Sequence, residues 1–203
     1  MATINRLYLP FTLTSVIILA GVFFWYEFTG TSKHGVAEET KVVPSKLGPL
    51  RALTPPRLLP KFRFVNESGE ELTLADFNGK TLLVNKWATW CPPCREEMPS
   101  LDRLQAQMGG DEFHVLAIST DLNGMSAVQD FFQQIEITSL EAYIDSDGET
   151  ENALKVPGLP TTLLVDKSGN AIGVKVGPMQ WDSEEIIALV NAQISPEVKQ
   201  NKR

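Results

Sequence analysis

Cys91 and Cys94 are the chain's only cysteines, two residues apart in Trp90-Cys91-Pro92-Pro93-Cys94. A disulfide between them closes so small a loop that it removes little chain entropy and adds little stability. Such a pair is suited to being made and broken. Cys91 falls between an apolar run ending near Trp87 and a helical pattern starting near Pro93. Its sulfur is therefore expected at a helix N-terminus, where the dipole and free amides favour the nucleophilic thiolate. Cys94 sits one turn further in. Cys91 should then attack a substrate disulfide and Cys94 resolve the mixed disulfide, leaving Cys91–Cys94 as the oxidised form.

Pro92 and Pro93 have no amide hydrogen, so two potential donors to the thiolate are missing. That predicts a reducing couple, nearer the roughly −270 mV end of the dithiol scale than the roughly −120 mV of strong oxidants. Three other uses of the pair compete with redox exchange. A structural disulfide would be odd in so small a loop. A zinc site needs four ligands, and only His34 and His114 supplement the pair. Copper handling is the alternative from a binding-protein class, on ligand softness alone, although no histidine follows His114.

Alternating strand and helix signals from Leu58 onward position the pair. Phe62–Val65 and Glu71–Leu74 flank the turn Asn66-Glu67-Ser68-Gly69 and predict a hairpin. Thr81–Trp87 and His114–Ser119 read as central strands. Met98, Leu101, Leu104 and Met108 have helical spacing, as do Val128, Phe131, Phe132 and Ile135. A kink is expected at Pro99. A short strand near 142–144 and a helical turn near 150–154 make a central insertion. Strands at 162–165 and 171–176 follow, joined by Asp166-Lys167-Ser168-Gly169-Asn170. The last helix starts near Ser183 with Glu185 available for a capping box, and should bury Ile186, Ile187, Leu189, Val190 and Ile194. The order implies an α/β fold, a mixed sheet covered on both faces. Lys86, inside a central strand, is awkward, because a buried lysine is costly without a partner.

Net charge is −7, unevenly spread: residues 1–57 hold six basic and three acidic residues, +3, so the remainder carries −10. An acidic domain argues against nucleic acid as a partner. Residues 7–26 carry no charge and have the roughly 20-residue length of a membrane span. Arg6 precedes them and Glu27 follows, which favours a cytoplasmic 1–6 and an extracytoplasmic remainder. A cleaved signal peptide, with Gly35-Val36-Ala37 as the cleavage region, is the alternative. Either exports the domain to an oxidising compartment. Residues 27–57, with Pro44, Pro49, Pro55 and Pro56, read as a tether in which His34 is solvated. The domain is then 58–194, with a polar tail at 195–203.

Residues 84–99, Val-Asn-Lys-Trp-Ala-Thr-Trp-Cys-Pro-Pro-Cys-Arg-Glu-Glu-Met-Pro, open a wider pattern. Gly158-Leu159-Pro160-Thr161-Thr162 and Gly177-Pro178-Met179-Gln180-Trp181 continue it. Over roughly Leu58–Gln193 the chain resembles the TlpA/ResA/CcmG group of membrane-tethered thioredoxin-fold thiol–disulfide oxidoreductases, its TlpA branch in particular. The resemblance implies that Pro160 is cis and faces the dithiol. Leu159 would offer its backbone to a substrate strand, Pro92 and Pro93 would border the bound substrate, and Trp90 would shield Cys91. Asn85 stands where thioredoxin has a buried, proton-moving aspartate. Asparagine cannot titrate, so that role must lie elsewhere or with water; Glu97, three residues after Cys94 on the same helical face, is the candidate acid/base, and a solvated Glu97 is the plain alternative. Implied partners are client proteins of cytochrome c or copper-centre assembly and a membrane thiol–electron relay of the DsbD/CcdA type. The chain would act as a monomer without cofactor or metal.

Overall fold

The computed structural model describes residues 47–145 and 147–195. The expected cytoplasmic terminus and membrane anchor lie outside those residues, as do the tether up to residue 46 and the tail beyond Ser195. Among the described residues no helix is long and apolar enough to cross a membrane.

Eight strands form one mixed sheet in the order β1-β8-β7-β4-β5-β6-β2-β3. They are β1 (Arg51–Leu58), β2 (Arg63–Asn66), β3 (Glu71–Thr73), β4 (Thr81–Trp87), β5 (Phe113–Ser119), β6 (Tyr143–Ile144), β7 (Thr161–Val165) and β8 (Asn170–Val176). The helices are α1 (Pro92–Met108), α2 (Met125–Gln134), α3 (Glu149–Leu154) and α4 (Glu184–Ile194). β4 runs parallel to β5 and antiparallel to β7. Every residue of β4 and β5 is buried, polar Asn85, Lys86 and His114 included, as strands in the middle of a sheet covered on both faces should be.

Alternation along β4 assigns its side chains to two cores. Leu83 and Trp87 join Met98, Leu101 and Leu104 of α1, Phe131 and Phe132 of α2, and Ile186 and Leu189 of α4. Leu82 and Val84 join Phe62, Phe64, Tyr143 and Leu154 on the other face. Both cysteines belong to the first core. α1 includes Pro99 within its span and buries Cys94, Met98, Leu101 and Leu104.

The expected N-terminal boundary needs correction. Residues 51–57, read as tether, belong to β1, which pairs antiparallel with β8 and breaks register between Ala52 and Arg57. β1 is an edge strand, and an edge with an irregular register accommodates Pro55 and Pro56, whose missing amides would disrupt a central strand. Leu47 and Leu50 are buried in the first core, so the folded domain includes them. Gly173 of β8 makes room: a Cβ there would lie 3.1 Å from Leu47 Cδ1. The capping box at α4 also fails to form, since Ser183 occupies the N-cap without a side-chain hydrogen bond. Ile186, Leu189 and Val190 are buried, and Ile187 and Ile194 half-buried.

Candidate active site

The loop from Ala88 to Cys91 carries the chain from the end of β4 into α1 and is fastened from below. Asp121, 1% exposed just past β5, accepts hydrogen bonds from Thr89 N (2.8 Å), Thr89 Oγ1 (2.6 Å) and Ser119 Oγ (2.6 Å). Thr120 N donates to Trp87 O. The parallel ends of β4 and β5 thus hold the loop in place. Sequence reading missed Asp121, whose signal is only an acid directly after a strand.

Cys91 is the N-cap of α1 and is disulfide-bonded to Cys94. Pro92 and Pro93 are the first two helical residues, so the first α1 amide able to reach a capping group is that of Cys94. Both sulfurs lie in the apolar core beneath the surface, Cys91 at 5% exposure and Cys94 at 0%. That order matches an outer attacking and an inner resolving cysteine. Arg95 is turned aside, donating from Nη1 to Thr89 O and lying 4.4 Å over the Phe131 ring.

The Leu159–Pro160 bond is cis. Leu159 packs against the core that holds the dithiol, and it shares a cavity of about 280 Å³ with Trp90, Leu122, Lys86 and Glu151. Trp90 is 66% exposed, so it is no core tryptophan. Pro92 borders a second depression with Arg95, Glu96, Phe131 and Ile135. Lys86 finds its partner here: buried on the far face of β4, its Nζ donates to Glu151 of α3.

Glu97 is 2% exposed, which excludes the solvated alternative. Its Oε2 accepts from Trp181 Nε1 (2.8 Å) and Met179 N (3.1 Å), and its Oε1 from Asn85 Nδ2 (2.8 Å). Burial pushes its pKa up, outweighing these three bonds and the nearby Lys175 charge, which favour the carboxylate. Asn85 Nδ2 also meets Thr162 Oγ1 at 2.9 Å, its antiparallel neighbour on β7. Asn85 Oδ1 is buried without a partner. Ser100 ties the same segment down, donating from Oγ to Glu97 O and accepting from Trp181 N. Ser100 and Trp181 escaped the sequence reading as site residues. The Gly177–Trp181 pattern pointed toward Trp181 alone.

His114 lies on β5 among the second core's residues, its ring nitrogens against Tyr143 Oη (3.2 Å) and Gln105 Nε2 (3.3 Å). Burial holds its pKa below the ordinary histidine value. Among the described residues no three His, Cys, Asp or Glu side chains group to hold a metal ion.

The fold and the dithiol have counterparts among known proteins. The Redoxin family model matches residues 56–190. A Bacillus thuringiensis subsp. konkukian protein named thiol-disulfide oxidoreductase ResA is 34% identical over 113 residues, 56% of this chain; the chain spans 64% of that relative's length. The ResA of Geobacillus kaustophilus is 33% identical over 126 residues, covering 62% of this chain and 71% of that protein. A Chlorobium tepidum crystal structure, described as a thiol:disulfide interchange protein DsbE, superposes with a TM-score of 0.61 at 26% identity, over 69% of this chain and 97% of that one. With a thioredoxin-like mixed sheet, a dithiol capping α1 and a family match over most of the domain, the chain belongs to the Redoxin family.

Proposed function

We propose that the protein is an extracytoplasmic thiol–disulfide oxidoreductase that works as a reductase of protein disulfides. The observation that carries this is the Cys91–Cys94 disulfide at the start of α1, with the outer sulfur at the N-cap and Trp90 and Leu159 sharing a cavity beside it. The names of the ResA relatives support the same chemistry.

The reaction starts from the reduced dithiol. Cys91 thiolate attacks one client sulfur, forming a mixed disulfide and releasing the other client sulfur as thiolate. Cys94 then gives up its proton and attacks Cys91 Sγ. The second client sulfur leaves, two electrons have passed to the client, and Cys91–Cys94 is oxidised. Glu97, one helical turn from Cys94, takes up the proton: burial makes its carboxylate a stronger base than a solvated one. The main chain at Leu159 pairs with the client strand, and Trp90, Pro92 and Pro93 border it.

Clients are proteins of cytochrome c or copper-centre assembly whose metal- or haem-binding cysteines must stay reduced. Electrons return through a membrane relay of the DsbD/CcdA type. The chain acts as a monomer anchored by residues 7–26, with the domain on the periplasmic side of the inner membrane. Insulin reduction measured beside a Cu(I) titration tests the enzyme against a copper-handling or client-holding module. Fast exchange without tight copper binding is expected. Tight copper binding with negligible exchange would reverse the assignment. Cys94→Ser should trap clients on Cys91, and a variant that traps none refutes the attack role.

A further inference from the structure

Glu97 can hold a proton on one oxygen only. Oε2 faces Trp181 Nε1 and Met179 N, two N–H groups that cannot turn round to accept. A proton on Glu97 must therefore sit on Oε1, the oxygen 2.8 Å from Asn85 Nδ2. There it would meet a second donor head-on. Asn85 has a way out, because its buried Oδ1 has no partner and nothing at that end holds the amide in its present orientation. Half a turn about the Cβ–Cγ bond axis brings Oδ1 to Glu97 and to Thr162 Oγ1, a hydroxyl that donates as readily as it accepts.

We propose that Asn85 is a positioning residue whose amide reverses with the protonation of Glu97, presenting NH₂ to the carboxylate and its carbonyl to the carboxylic acid. The inference rests on Glu97 being the proton handler of the dithiol. It gives a residue that cannot titrate a part in the proton step: each form of Glu97 meets the matching end of one amide inside the core. Without the reversal, one of the two forms would always be opposed, and proton transfer would slow. The other groups around Glu97 do not duplicate this. Lys175 contributes a positive charge that favours the carboxylate, Thr162 and Trp181 are neutral, and Asp102, the other buried acid of α1, is bonded through Oδ1 to the amides of Thr138, Ser139 and Leu140.

Glu97→Gln separates the cases. Glutamine has one acceptor oxygen, which Trp181 and Met179 claim, so its NH₂ must face Asn85 and call for Oδ1. The experiment is NMR of the uniformly ¹³C,¹⁵N-labelled full chain, following Glu97 Cδ and the Asn85 NH₂ pair across about pH 4 to 10. The Asn85 signals should move with the same midpoint as Glu97 Cδ. In Glu97→Gln they should stay at the wild-type low-pH positions at every pH. If Glu97 titrates while Asn85 stays still, or if the Gln variant shows the high-pH positions, the reversal is wrong and the role of Glu97 stands. If Glu97 does not titrate, both fall.

Discussion

Lys86 and Glu151 offer a clean perturbation beside the dithiol cavity, because their burial is unequal. The Lys86 side chain is 4% exposed, while that of Glu151 is 64% exposed. Removing one partner of a fully buried pair costs about 3–5 kcal/mol, whereas an exposed pair is worth about 0–1 kcal/mol. With only the cation buried, Glu151→Gln should lie between, at about 2 kcal/mol, because the ammonium stays in the protein without its counter-charge. Lys86→Met should behave oppositely. It keeps an apolar stem against Leu82 and Val84's side of the sheet, removes the desolvation penalty, and leaves Glu151 free in water. A gain of about 1 kcal/mol is expected. In the Lys86→Met background, Glu151→Gln should change stability by less than about 0.5 kcal/mol. With a urea slope of about 2 kcal/mol/M, the single Gln variant shifts the unfolding midpoint of the full chain by about 1 M. Equal effects of Glu151→Gln in both backgrounds, or a clear loss of stability in Lys86→Met, would refute the view that a buried charge is being neutralised there.

Three further outcomes follow from the geometry. Burial raises the Glu97 pKa above its ordinary 4.5, so the folded state holds this proton more tightly than the unfolded chain. Its stabilising contribution is therefore complete below about pH 4.5 and lost as pH rises through the folded value. Urea midpoints of wild type minus Glu97→Gln should fall across that window and be flat on either side; a rise with pH would contradict the sign. Asp102 Oδ1 accepts from the amides of Thr138, Ser139 and Leu140 at 3.2, 2.7 and 2.9 Å, so Asp102→Ala should cost about 2–4 kcal/mol in denaturation, while Asp102→Asn, which keeps the oxygen, should cost clearly less. Trp90→Ala, at an exposed position, should leave stability within about 0.5 kcal/mol. The same change should lower kcat/KM for a protein disulfide about tenfold with little effect on exchange with a small dithiol, and equal losses on both substrates would remove Trp90 from the docking surface.

The dithiol and its place in the fold were legible because they are local. A strand end, two prolines and an i, i+3 cysteine pair place Cys91 at a helix N-cap whatever the rest of the chain does. The central strands were readable for a similar reason: burial on both faces leaves short, mostly apolar runs, Leu82–Val84 in β4 and Val115–Ile118 in β5. β1 was not, since prolines and charges that end a central strand are harmless on an edge, and only the pairing with β8 shows that 51–58 is one.

Lys86 and Glu97 mark the boundary between the two kinds of knowledge. Composition and spacing could place Glu97 on the dithiol's helix and Lys86 on a central strand, and could say that each would need help if buried. The help comes from far along the chain. Glu97 is held by residues 12, 82 and 84 positions away, and Lys86 by one 65 positions away. Hydrogen bonds between such distant residues exist only once the sheet order has brought β4, β7, α3 and the 177–181 segment together. The sequence alone therefore determined which two sulfurs can pair at the start of α1, a matter of neighbouring residues. Tertiary structure decided the surroundings of Glu97, because only the packed core distinguishes a buried carboxylate, with one oxygen occupied by N–H donors and the other facing an amide, from an ordinary surface glutamate.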